Sequence, residues 1–136
     1  MIPAVQKAGG KIILHDQTEL AQELGADGVH LSSRQLCQLK KRPQGLDWVG
    51  ASTHNHAQLA CVRELGLDYA VLGHVAPTRS HPDQAPLGWD SFAALLREGW
   101  PFPVFAIGGM DASHIPQARA LGAHGIASLR AFWQSA

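Results

Sequence analysis

The chain has 136 residues, 46% of them hydrophobic and 16% charged, enough apolar material for a single domain with one core. Eleven lysines and arginines balance eleven aspartates and glutamates, so no basic stripe points to nucleic acid and no acidic tail to a solvating segment. Cys37 and Cys61 have no CxxC partner, which excludes a disulfide framework or a cysteine metal site. No signal-peptide pattern opens the chain and no apolar run reaches membrane length, so a cytoplasmic protein with no membrane partner is expected.

In chain order, residues 1–8 read as the tail of a helix. Strands are predicted at about 11–15, 28–31, 48–52, 69–73, 103–107 and 125–129. Helices are predicted at 17–24, 33–41, 56–65, 90–98 and 113–121, with a short one near 130–134. A repeated phrase supports this alternation: LGADGVHL (24–31), LGLDYAVL (65–72) and LGAHGIAS (121–128). In each, a glycine stands where a helix C-terminus takes a left-handed residue, and a short apolar strand follows. Alternating strands and helices imply a parallel sheet with helices outside it, either an open doubly wound sheet or part of a closed β/α barrel. The longest irregular stretch, 76–89, carries three prolines, and a loop of that length in a compact domain is usually functional.

Ligands of parallel α/β folds sit at the C-terminal ends of the strands. Those ends carry His15-Asp16, Ser32-Ser33, Ser52-Thr53-His54-Asn55, Gly73-His74, Gly108-Gly109 and Ser128-Leu129-Arg130. The Gly108-Gly109 turn lets backbone N–H groups approach an anion before a helix beginning near Ser113, with Ser128 and Arg130 adding a hydroxyl and a cation; otherwise it is only a tight turn. His54 suits general acid–base chemistry, and His74 shares the mouth. His56, two residues on, should face away in the first turn of a helix. Asp16 is read first as a helix cap and second as a Mg²⁺ ligand. Asp27 and Asp68 precede strands and read as structural, and Cys61 as packing.

The segments GADGVHL (25–31), VGASTHN (49–55), DYAVLGHVAPT (68–78), APLGW (85–89), PVFAIGGM (103–110) and GAHGIASLRAFW (122–133) together resemble the thiamine-phosphate synthase/TenI family. Within it, HLSS (30–33), PTRSHP (77–82) and SLRAFW (128–133) look most like the version found as a C-terminal domain behind Nudix hydrolases. The resemblance implies an α/β fold of the parallel (β/α) TIM-barrel type, truncated to about six of eight units, with the first two units absent. It implies a thiazole phosphate or thiamine phosphate as ligand, held by Ser52, Thr78, Gly108, Gly109, Ser128 and Arg130, with His74 and His81 at the mouth. His54 takes the position of the tautomerase histidine. The family's two Mg²⁺-binding aspartates correspond to Asp16 and Gln35, and the lysine of its Pro-Thr-x-Thr-Lys loop to His81. Mg²⁺ is therefore expected only for synthase-like chemistry, and that chemistry is expected to be impaired. A barrel short of two strands has open edges, so a homo-oligomer is expected. The competing expectation is a non-catalytic module derived from a Nudix fusion.

Overall fold

The computed structural model describes residues 1–79, 81–129 and 131. The elements run α1 (Ile2–Lys7), β1 (Ile13–His15), α2 (Thr18–Leu24), β2 (Gly28–Leu31), α3 (Ser33–Gln38), β3 (Trp48–Thr53), α4 (His56–Glu64), β4 (Tyr69–Leu72), α5 (Trp89–Leu96), β5 (Val104–Ile107), α6 (Ile115–Ala120) and β6 (Gly125–Ala127). All six predicted strands and the helices between them are present; β2 has the expected bounds, β3 runs one residue further and α5 starts one residue earlier, while the other ends that differ are one to three residues shorter. The helix predicted at 113–121 opens as a 3-10 turn over Ala112–His114. The expected short helix near 130–134 lies almost wholly outside the described residues.

The six strands form one parallel sheet in the order β1-β2-β3-β4-β5-β6. Each strand pairs with its successor in the chain, as Ile13 does with Gly28 and Leu72 with Ala106. A doubly wound sheet reverses its order at a switch point; this one never does, which is the sequential winding of a β/α barrel. The fold is therefore α/β and TIM-barrel-like.

Strand alternation sorts the side chains into two layers. Val29, Leu31, Val49, Ala51, Ala70, Leu72, Val104 and Ala106 are buried in the core that they share with Leu36, Leu59, Val62, Phe92 and Leu96 of the helices. The intervening residues turn to the barrel-interior side, where Trp48 is 43% and Ile13 38% exposed. There His30, Trp48, Tyr69, Val71, Phe105, Ile107 and Ile126 help line a concavity of about 650 Å³.

The repeats act at the opposite end of the strands from the ligand mouth. Asp27 accepts a hydrogen bond from the Ile12 N–H at 2.8 Å, and Asp68 from the Val49 N–H at 2.7 Å. Each aspartate precedes one strand and fastens the start of its neighbour, so both are structural as expected. Arg42 completes the second latch, 2.7 Å from Asp68. In the third repeat His124 stands at this position, its N–H on the Val104 carbonyl and its ring edge-on to Phe105. Among the described residues, no helix is long and apolar enough to cross a membrane.

Candidate functional site

The C-terminal ends of β3 to β6 surround a cavity of about 630 Å³. Its lining includes Ser52, His54, His74, Thr78, His81, Gly108, Gly109 and Ser128, residues drawn from four strand ends and the long loop. Parallel strands explain the convergence, because every chain segment leaving a strand emerges on the same side of the sheet. Arg130 lies outside the described residues. Asp16 is absent from this lining.

His54 is set by the start of α4. Asn55 caps that helix, accepting from the Gln58 N–H at 2.9 Å, while the Gln58 side chain reaches back to the His54 N–H at 2.7 Å. These reciprocal bonds hold the backbone at His54. The His54 ring is held in turn by its Nδ1, 2.7 Å from the Gly73 carbonyl. A carbonyl only accepts, so Nδ1 carries the proton, and in the neutral ring Nε2 keeps its lone pair. Thr53, beside it, donates its hydroxyl to the Val71 carbonyl at 2.9 Å and is fully buried, so it serves the sheet. His56 bonds Glu98 at 2.7 Å on the surface, away from the cavity. Cys61 packs partly buried against the core.

Gly108 and Gly109 both adopt left-handed backbone, at φ 99° and 67°. A Cβ on Gly108 would lie 2.2 Å from the His74 Cβ, and one on Gly109 2.7 Å from the Pro77 carbonyl oxygen. The turn is therefore glycine for two reasons, its backbone conformation and the close approach of the 74–77 segment. The helix dipole expected behind it is weaker than the sequence suggests. Asp111 caps the 3-10 turn with its own carboxylate, accepting from the Ser113 N–H at 2.8 Å, and α6 has only six residues. The Ser113 side chain and N–H hold the Asp111 carboxyl below the ordinary range, so an anion at Gly109 has a carboxylate nearby in the lining.

Ser128 accepts from the Ala131 N–H at 3.1 Å, which shapes the turn after β6. The long loop is tied back at both ends of its course: the Leu87 N–H meets the His74 carbonyl and the Gly88 N–H the Val75 carbonyl. The His74 Nε2 donates to the Gln84 carbonyl at 3.1 Å, and its ring stacks on His81 at 5.3 Å. His74 thus pins the loop over the cavity.

Asp16 overturns its first reading. The cap position of α2 is Gln17, which makes no side-chain cap bond, and Asp16 reaches instead to the Ser32 N–H at 2.7 Å. Burial works against its ionisation, but the Ser32 N–H and side chain, together with His15 and His30, outweigh it and hold the carboxyl below the ordinary range. Its other oxygen lies 3.5 Å from the His15 Nε2. No group of three His, Cys, Asp or Glu able to hold a metal occurs among the described residues.

Sequence reasoning missed two residues. His30 bonds Tyr69 Oη through Nδ1 at 2.9 Å and Ser52 Oγ through Nε2 at 2.8 Å. Burial pushes the His30 imidazole down to about 4, with His15 adding to the shift and Asp16 opposing it. Burial, helped by Asp68, pushes Tyr69 up to about 12. The available signal was polar residues at the interior positions of three successive strands, His30, Ser52 and Tyr69, with a glycine at position 50 between them.

The sequence profile of the thiamine monophosphate synthase family matches residues 1–132. The chain is 31% identical over 125 residues to the thiamine-phosphate synthase of Lactococcus lactis subsp. cremoris, covering 90% of this chain and 57% of that one. It is 34% identical over 133 residues to that of Thermosynechococcus vestitus, covering 96% and 38%. Among solved structures, a thiamine phosphate pyrophosphorylase from Pyrococcus furiosus superposes with a TM-score of 0.70 at 23% identity, covering 93% of this chain and 60% of that one. The chain thus spans less than two thirds of each of these proteins. With a match that runs from the first residue through β6, and a fold of the same winding, the chain belongs to the thiamine monophosphate synthase family.

Proposed function

We propose that the cavity binds a phosphorylated thiazole, either a thiazole phosphate or thiamine phosphate, in thiamine biosynthesis or salvage. The phosphate lies against Gly108, Gly109 and Ser128, and the ring under His54. The observation that carries this reading is the 2.7 Å bond from His54 Nδ1 to the Gly73 carbonyl, which leaves Nε2 as the acceptor nitrogen. A neutral imidazole held in that tautomer takes a proton from a bound thiazole at Nε2 and returns it at another ring position. That is tautomerisation of a thiazole carboxylate phosphate, and it has no leaving group to stabilise. Coupling of a pyrimidine to the thiazole instead requires pyrophosphate to leave, with charge stabilisation from cations. Gln35 and His81 stand where the family places an aspartate and a lysine, which supports weak synthase activity in this chain. The same two exchanges favour a second reading, a ligand-binding module without turnover, of the kind found behind Nudix hydrolases. In either reading the purified chain self-associates through its open face.

The test supplies the non-aromatic thiazole carboxylate phosphate to the purified chain and follows aromatisation by absorbance, with thiamine phosphate binding measured by calorimetry. Turnover is expected that His54→Ala lowers by roughly 10²–10⁴-fold while binding stays within about threefold. Binding without turnover in the unaltered chain selects the module reading. Failure to bind either ligand refutes both.

A further inference from the structure

We propose that His30 and Tyr69 form a positioning pair that orients the Ser52 hydroxyl, so that Ser52 offers a hydrogen-bond donor to the cavity. The three residues come from β2, β3 and β4, neighbouring strands of the sheet. His30 pairs in register with Gly50, and Gly50 with Tyr69. The missing side chain at Gly50 is what joins them: a Cβ there would lie 2.0 Å from Tyr69 Cζ. The tyrosine ring crosses β3 through that gap to reach a histidine two strands away. Ser52, two residues further along β3, belongs both to this triad and to the lining of the ligand cavity.

A neutral imidazole has one donor and one acceptor nitrogen, so the two bonds of His30 are not independent. If Tyr69 donates to Nδ1, then Nε2–H donates to Ser52 Oγ and the serine proton is left to point elsewhere. If Nδ1–H donates to Tyr69, then Ser52 spends its proton on Nε2 and shows the cavity only lone pairs. A phenol is a far stronger acid than a serine hydroxyl and the stronger donor to an imidazole lone pair, so the first arrangement prevails. The burial that holds His30 neutral keeps this choice in force near neutral pH. The ligand atom beside Ser52 is therefore an acceptor, such as a phosphoryl or carboxylate oxygen. Tyr69 influences it from outside the cavity lining.

This inference rests on the proposed ligand only for its binding readout. The first measurement needs no ligand: a long-range ¹H–¹⁵N spectrum of histidine-labelled protein, with the His30 signals assigned through His30→Gln. The Nε2–H tautomer is expected; the Nδ1–H tautomer overturns the proposal. The second is a double-mutant cycle with thiamine phosphate as the probe. Tyr69→Phe is expected to weaken binding roughly fivefold when Ser52 is present and less than about twofold in a Ser52→Ala background. Equal weakening in both backgrounds would make Tyr69 a structural residue and overturn the proposal. If the unaltered protein does not bind thiamine phosphate, the cycle is run with the thiazole carboxylate phosphate; if neither binds, the functional reading falls, and the tautomer alone decides the role of His30.

Discussion

Acidification should destabilise this protein through one histidine in particular. The folded chain lowers His30 to about 4 by burial, against an ordinary value of about 6.5 in the unfolded chain. Below that ordinary value the unfolded chain binds a proton that the folded chain refuses. Stability therefore falls as pH drops from about 6.5 toward 4 and levels off below the folded value. Proton linkage between those two values gives a loss of about 2 kcal/mol between pH 7 and pH 5, on the order of 3 kcal/mol once the group is fully titrated. His30→Gln keeps a donor and an acceptor beside Tyr69 and Ser52 but cannot titrate. Urea unfolding followed by tryptophan fluorescence, at one protein concentration and at both pH values, measures the difference. The unaltered protein should lose about 2 kcal/mol more than the variant over that interval. Parallel losses would show that water or relaxation solvates the imidazolium and that the burial argument is wrong.

The GG turn and the open face yield two further predictions. Gly109→Asp places a Cβ 2.7 Å from the Pro77 carbonyl oxygen in left-handed backbone and adds negative charge at the proposed phosphate position. Thiamine phosphate affinity should fall by more than about tenfold relative to Gly109→Ala, which shares the strain but not the charge; equal affinities of the two variants by calorimetry would remove the anion from this turn. For assembly, light scattering at micromolar concentration should report a homodimer, because β1 and β6 are outer strands of the described sheet and Trp48 and Ile13 lie open on its interior face. A monomer with a cooperative melt would show that the six strands cover themselves.

Much of this architecture was legible from local pattern alone. The phrase LGxDxxxL marked a helix end, a tight turn and a strand start, and Gly25 and Gly66 take the left-handed backbone that such an end requires. Short apolar runs alternating with helical stretches specified a parallel sheet, because parallel neighbours need a crossover between them that a helix supplies. Strand ends then pointed to Ser52, His54, Gly108, Gly109 and Ser128, since parallel strands deliver their C-termini to one side. Three matters were beyond local pattern. Barrel winding as against a doubly wound sheet depends on strand order, which periodicity does not encode. Asp16 makes its bond to Ser32, across to the next strand's end, where the sequence pointed to a cap on its own helix. The union of His30, Ser52 and Tyr69 requires three strands in register and an empty position at Gly50, so it exists only once the sheet is assembled. Sequence determines which residues reach the mouth of the sheet; only tertiary structure decides which of them touch, because hydrogen bonds between strands depend on register and on the space that neighbouring side chains leave.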